Sequence, residues 1–453
     1  MESTLIWSIT GFIMALIIFP AVIKFRRHVR QSASEKAEAK KLGIEKPLAQ
    51  HPIIDVSRCI GCASCVSACP EGGVLGIVDG YAQIVNGLRC IGHGECEKAC
   101  PVEGIYMGLG DLHLRDDIPT LDDNRQTNIP GIYIIGELGG LALIRNAIKQ
   151  GIEVVRYIAP RIVAPSDQED VRDICIVGAG PAGLSAALTA KEQGLSFYLI
   201  DQQGAGGTIL QYPKKKLVLT QPVDLPLYGR LKKDAYRKED LLAIWENIIR
   251  TYDIQLQSGQ VLKQIQKQGD HFDVSTSTHR FKARKVILAL GRRGTPRKLG
   301  VPGEQRSKVA YKLIDAQAYK DNHILVVGGG DSAIEAAMGL AAQKGNVVTL
   351  SYRKASFYRI KKRNERKLNS VLKRGKIRVL FNSTVANIQD DHVIIDLQVE
   401  NGANHQETLK NDFVFIFAGG IPPYKLMKDL GISFGKTQVD PAETSRTKQV
   451  LQI

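Results

Sequence analysis

Eight residues between positions 59 and 100 carry chemistry that can be read from spacing alone. Cys59, Cys62, Cys65 and Cys69 precede Pro70 in the pattern C-x2-C-x2-C-x3-C-P. Cys90, His93, Cys96 and Cys100, followed by Pro101, repeat it with a histidine in one cysteine position. Three closely spaced thiolates wrap the corners of an iron–sulfur cubane, and the fourth is carried by the next helical turn to a second cluster. Zinc draws on the same residue types, but two repeats that each end in Cys-Pro favour iron–sulfur. His93 leaves three readings open: a [4Fe–4S] cluster with three cysteines and one histidine, a [3Fe–4S] cluster with His93 as a bystander, or no second cluster. An imidazole in place of a thiolate removes negative charge and raises the reduction potential.

A second kind of chemistry lies in two glycine motifs. Gly178, Gly180 and Gly183 follow an apolar run, with the spacing G-x-G-x-x-G, and precede a small-residue helix and a second apolar strand that ends at Asp201. The first glycine permits the turn, the second lets backbone approach a pyrophosphate, and the third lets helix pack on strand. The helix N-terminus offers unpaired N–H groups to the phosphates, and Asp201 stands where a carboxylate would accept from a ribose hydroxyl. Gly328, Gly330 and Ala333 repeat the motif at an offset of 150, with Asp331 and Ser332 opening the helix between them. The same offset carries Asp201 onto Ser351, so the carboxylate is missing, and Arg353, Lys354 and Arg359 follow. Those cations suit a 2′-phosphate, which favours NADPH, with NADH possible.

The elements that must position these residues divide the chain. Its 453 residues carry a net charge of +15, and no helix-turn-helix, zinc-finger or aromatic RNA-binding pattern is visible, so nucleic acid is not an expected partner. Seven of the eight cysteines lie in the 59–100 block, which argues for metal ligation in a reducing compartment rather than a disulfide scaffold. Residues 4–23 are free of charge, and as a helix would extend roughly 30 Å, the hydrocarbon thickness of a bilayer. Lys24, Arg26, Arg27 and Arg30 follow at once. The expectation is a single-pass anchor in the cell membrane with the catalytic part cytoplasmic; a cleaved signal peptide would want a basic leader and a small-residue cleavage site, both missing. Residues 31–50 read as a polar stalk.

The cysteine block resembles the bacterial two-cluster ferredoxins over about 50 residues. The resemblance implies crossed ligands: Cys59, Cys62, Cys65 and Cys100 for one cluster, Cys90, Cys96 and Cys69 for the other. Residues 127–140, TNIPGIYIIGELGG, are similar to a segment of pyridine-nucleotide flavoprotein reductases of the thioredoxin reductase type. There it closes the FAD domain, and its acid, here Glu137 after Gly136, meets the ribityl chain. Here it precedes the first glycine motif, so the chain resembles a circular permutation of that family. Gly206, Gly207 and Thr208 match a family stretch along the flavin, residues 285–303 resemble the crossing between FAD and nicotinamide domains, and residues 412–423 look like the return strand into the FAD domain.

The resulting expectation is an α/β body of two Rossmann-like three-layer dinucleotide-binding domains, a small α+β ferredoxin domain and one N-terminal transmembrane helix. The boundaries are 1–30 for the anchor and basic flank, 31–50 for the stalk, 51–110 for the ferredoxin domain and 120–160 for the displaced FAD segment. The FAD domain takes 173–300 and 411–440, and the NAD(P)H domain 301–410. Residues 309–325 lack the C-x-x-C dithiol of thioredoxin reductases, and Cys175 falls inside an apolar strand. Hydride delivered from nicotinamide to FAD would therefore leave as single electrons through the clusters, toward a ferredoxin, a quinone or a membrane complex. Two alternatives stand. Residues 207–213 and 350–359 resemble the bacillithiol-disulfide-reductase-like branch, which implies a low-molecular-weight disulfide as substrate. The other is a non-catalytic redox-sensing or docking subunit. Thioredoxin-reductase-like proteins suggest a homodimer by analogy.

Overall fold

The computed structural model describes residues 2–44, 46–47, 50–108, 118–139, 143–162, 170–292, 294–358, 360–398 and 404–435. The chain divides into two units, residues 1–110 with Tyr358–Asn369, and residues 111–357 with 370–453.

In the first unit, a 40-residue helix α1 (Glu2–Lys41) leads into the cysteine block. The apolar stretch that suggested an anchor runs without a break into the alternating Lys and Glu of residues 24–41, so it forms one part of a long helix that is polar over its second half. Among the described residues no helix is long and apolar enough to cross a membrane, which overturns the transmembrane assignment and with it the cell-membrane localisation. The second half of α1 packs on the cysteine block through buried Ser32 and Ala39. The block folds as two interleaved halves. β1 (His51–Ile54) is followed by α2 (Ser64–Ala68), β2 (Leu75–Val78), β3 (Tyr81–Ile84), α3 (Glu95–Lys98) and β4 (Ile105–Gly108). β1 pairs antiparallel with β4, and β2 with β3. Its core is small, built on Val74, Leu75, Ile77 and Ile105 with the cysteines themselves.

The second unit is built around two larger sheets. β5 (Ile132–Ile134) and α4 (Ile144–Ile158) come from the displaced segment; β6 (Val171–Val177), α5 (Pro181–Glu192) and β7 (Phe197–Asp201) come from the first glycine motif. The first sheet runs in the order Leu256–Ser258, β7, β6, Arg280–Leu288, His271–Thr276, Leu262–Gln268. The C-terminal half of Arg280–Leu288 also takes β5 in parallel: Val286 pairs with Cys175 of β6 on one side and with Ile132 of β5 on the other. Residues 132–134 therefore complete the sheet that carries the first glycine motif. Helix α4 lies on α5, and Gly151 permits the approach, because a Cβ there would collide with Ser185 Oγ and the Ala182 carbonyl.

The second sheet has the parallel order Val309–Ala310, Phe413–Ile416, His323–Val327, Val347–Ser351, Ile377–Leu380, with a three-stranded antiparallel sheet beside it. Phe413–Ile416, expected as a return strand into the FAD domain, lies inside this second sheet. Val414, Phe415 and Ile416 are buried, and a strand apolar on both faces finds cover at the centre of a parallel sheet. The return begins only after the crossing pair Thr295–Pro296 with Gly420–Ile421; Met427 and Ile432 then pack into the core of the first sheet.

Candidate functional site

The first glycine turn has the shape its sequence demands. Gly178 has φ +113°, and a Cβ there would strike the Ala289 carbonyl. A Cβ at Gly183 would collide with the Gly178 carbonyl, which accounts for the close helix–strand contact. At Gly180 a Cβ would meet only Gly207 Cα, at 4.0 Å, so this backbone faces open space at the N-terminus of α5. That space is a cavity of about 300 Å³, open at its mouth, lined by Gly178, Gly180, Asp201, Gly206, Gly207 and Thr208. Gly136 and Glu137 of the displaced segment line the same cavity, as do Gln260 and Leu426. Gly183 serves it from behind.

Asp201 is placed differently from the simplest expectation. Its Oδ2 accepts from Ala179 N at 2.8 Å, and Oδ1 accepts from Gln203 N at 2.7 Å and Gly204 N at 2.9 Å. The carboxylate, 8% exposed, ties the glycine turn to the loop after β7. A carboxylate has about four acceptor sites, so room for a ribose hydroxyl remains, but the first duty of Asp201 is to hold the backbone.

Two supporting residues escaped the sequence. Gln150 of α4 is 2% exposed and accepts from Gly136 N at 2.8 Å, which fixes the turn that presents Glu137. Lys238, also buried, donates to the carbonyls of Leu210 at 2.9 Å and Tyr212 at 2.6 Å, anchoring the far end of the Gly207–Gln211 turn. A glutamine on the inward face of an amphipathic helix was the available signal for the first; nothing flagged the second.

The second glycine turn is built alike. Gly328 has φ +142° and packs against the Phe417 carbonyl and Ala333 Cβ; Gly330 caps the helix Asp331–Ala341, and a Cβ on it would meet nothing within 4 Å. Ser332 is exposed and Ala333 is buried. Ser351 is fully buried and hydrogen-bonds Ser383 Oγ at 2.8 Å, so it is withdrawn from any ribose. Arg353 and Lys354 are exposed just beyond it. Arg359 lies outside the described residues.

The cysteines sort themselves into two cages. One is lined by Cys59, Cys62, Cys65 and Cys100. The other is lined by Cys69, Cys90, His93 and Cys96. Each takes its fourth member from the opposite repeat. The thiolates, with one imidazole in the second cage, are the donor types that hold iron–sulfur clusters. In the first cage Ala82 N and Gly104 N approach Cys59 Sγ and Cys100 Sγ, each at 3.3 Å. Burial pushes the Cys65 and Cys90 thiols up to about 11, so cluster binding must displace their protons. Cys175, by contrast, is wholly buried in β6 with its thiol pushed up to about 12, and takes no part in either cage.

Residues 175–450 match the profile of the pyridine nucleotide-disulphide oxidoreductases, over more than half of the chain. The chain belongs to that family. Residues 51–101 match a 4Fe-4S dicluster domain. The ferredoxin–NADP reductase of Ignicoccus hospitalis is 28% identical over 280 residues, covering 61% of this chain and 87% of the relative. Bacilliredoxin reductase Bdr of Bacillus subtilis is 26% identical, covering 60% and 85%. Among solved structures, the bacillithiol disulfide reductase Bdr of Staphylococcus aureus superposes with a TM-score of 0.52 at 25% identity, covering 59% of this chain and 83% of that one. The oxidoreductase is thus a thioredoxin-reductase-like flavin enzyme joined to a 4Fe-4S domain, and FAD and NADP(H) are the cofactors its family implies. The residues present fit both: an open cradle at Gly180 with Glu137 brought to it, and a second glycine turn followed by cations where a carboxylate would repel a 2′-phosphate.

Proposed function

We propose that this oxidoreductase exchanges electrons between NADPH and a one-electron carrier, with FAD and two [4Fe–4S] clusters as its resident groups. FAD, when bound, would supply hydride chemistry whose two electrons can be passed on singly, and the clusters would carry one electron each. The protein contributes position. Gly180, Gly207 and the N-terminus of α5 would receive the pyrophosphate, Glu137 the ribityl chain, and Gly330 with Arg353 and Lys354 the phosphates of NADPH. No side chain need act as nucleophile or base.

The observation that carries this reading is the disposition of the thiols. Seven cysteines and His93 surround two cages, while the eighth cysteine is sealed in a sheet. No thiol outside the cages is open to attack a disulfide. The ferredoxin–NADP reductase relative supports a ferredoxin-like carrier as partner, with either direction allowed. The likeness to Bdr favours a second reading, reduction of a low-molecular-weight disulfide, since the S. aureus protein aligns over most of its length.

Anaerobic titration of the full chain with NADPH, and with NADH in parallel, tests both readings by visible absorbance and low-temperature EPR. Flavin bleaching together with cluster signals supports electron transfer. Flavin bleaching with clusters that only dithionite reduces, joined by NADPH-dependent turnover of bacillithiol disulfide, sinks it in favour of the second.

A further inference from the structure

The two cages differ by one residue, and that difference is matched by a second one outside the cage. The repeats are related by an offset of 31: Cys62 corresponds to His93, and Cys69-Pro70-Glu71 to Cys100-Pro101-Val102. Because the fourth ligands cross over, Val102 borders the four-cysteine cage, while Glu71 belongs beside the cage that holds His93. Glu71 is 9% exposed, with Oε1 lying 3.6 Å from His93 Nε2, within ion-pair reach and slightly beyond a formed hydrogen bond. The same oxygen accepts from Lys361 Nζ at 3.0 Å, which balances a buried negative charge.

An imidazole presents its two nitrogens on different sides of the ring. With Nε2 turned to a carboxylate, the proton sits on Nε2 and the Nδ1 lone pair is left for a metal. We propose that His93 is the fourth ligand of the second iron–sulfur cluster, bound through Nδ1, and that Glu71 is the positioning residue that fixes its tautomer and orientation. Glu71 follows Cys69 by two residues, so the backbone that supplies one ligand also supplies the group that orients another. A valine suffices at the equivalent place in the first cage, where thiolates need no tautomer set. The assignment excludes a bystander His93 and a three-iron centre. It rests on the two-cluster reading given above.

The test uses the anaerobically purified full chain, with and without ¹⁵N-labelled histidine, and four variants: His93→Cys, Glu71→Gln, Glu71→Leu and Lys361→Met. Iron and sulfide are counted, and the reduced clusters are examined by pulsed EPR. The expected result is eight irons per chain and a nitrogen hyperfine coupling that changes with the isotope. The coupling is lost in His93→Cys with the iron retained. It shifts in Glu71→Gln and shifts further in Glu71→Leu. In Lys361→Met, which removes the cation that shares the Glu71 oxygen, it shifts less than in Glu71→Leu. Eight irons without histidine coupling, or a three-iron signal in the oxidised protein, overturns His93 as ligand. A coupling unmoved in both Glu71 variants overturns the role of Glu71 alone. Four irons in the wild type overturns the two-cluster reading itself, and the His93 assignment with it.

Discussion

Single residues show where chemistry and scaffolding share a side chain. Glu304 is 8% exposed and accepts from Leu299 N at 2.6 Å, Gly300 N at 2.8 Å and Tyr311 Oη at 2.7 Å, closing the loop that crosses between the two dinucleotide-binding domains. Glu304→Ala leaves those donors without their acceptor and is expected to cost about 3 kcal/mol, read by denaturant unfolding. Burial pushes the Glu304 carboxyl up, but Tyr311 and the backbone donors bring it to a net position below its ordinary 4.5. Its stabilisation is therefore present above that value and lost as pH falls through the folded one. Tyr311 is pushed up to about 12 by burial and by Glu304, so its share is complete below 10 and lost as pH rises through 12. At the nucleotide end, Arg353→Ala is expected to raise KM for NADPH about tenfold, near 1.4 kcal/mol for one charged contact to phosphate. KM for NADH should stay unchanged; an equal rise for both would remove Arg353 from phosphate recognition. The two cysteine repeats were legible from spacing, while the crossing of their ligands came from the resemblance to two-cluster ferredoxins and not from the spacing itself. The three backbone contacts of Asp201 were not, because a carboxylate at a strand end looks the same in sequence whether it faces a sugar or its own loop.

Elements were legible where a periodic pattern met a turn signal, as in β6–α5–β7. They were less so where only apolarity spoke. The run at 413–416 reads equally as a strand of either domain, and its neighbours in three dimensions decided. Residues 4–23 gave the same apolar signal without revealing that their helix continues through the charged stretch to Lys41. The α4–α5 contact depends on a single small residue. Gly151→Val is expected to force the two helices apart and abolish flavin retention, measured as the flavin-to-protein absorbance ratio after purification. Gly339→Ala supplies the control. It lies within the helix Asp331–Ala341, where the new methyl meets only Ala316 Cβ at 3.5 Å, and it should keep the flavin and gain up to about 1 kcal/mol in stability.

At the scale of the whole chain, the order of motifs resembles a permutation of the thioredoxin reductase arrangement, and in the second unit residues 120–128 meet residues 431–435. Thr120 N donates to the Ser433 carbonyl at 3.0 Å, Thr120 Oγ1 to the Gly435 carbonyl at 3.0 Å, and Asn128 Nδ2 to the Gly431 carbonyl at 2.9 Å. If the order is a permutation, these hydrogen bonds mark where the two segments would be joined. In a rearranged chain, with residues 118–162 moved behind residue 435 and 117 joined to 163, flavin content and absorbance should match the natural order. A rearranged chain without flavin would show that this seam is not the old junction. The seam also sets a timetable. β5 leaves the ribosome about 150 residues before the strand it pairs with, as Ile132 and Val286 mark. For that interval it is an unpaired apolar segment, the kind of nascent chain most exposed to wrong partners. Gly136 and Glu137 are thus the first lining of the flavin cradle to be made, and the cradle is complete only once Leu426 has been added.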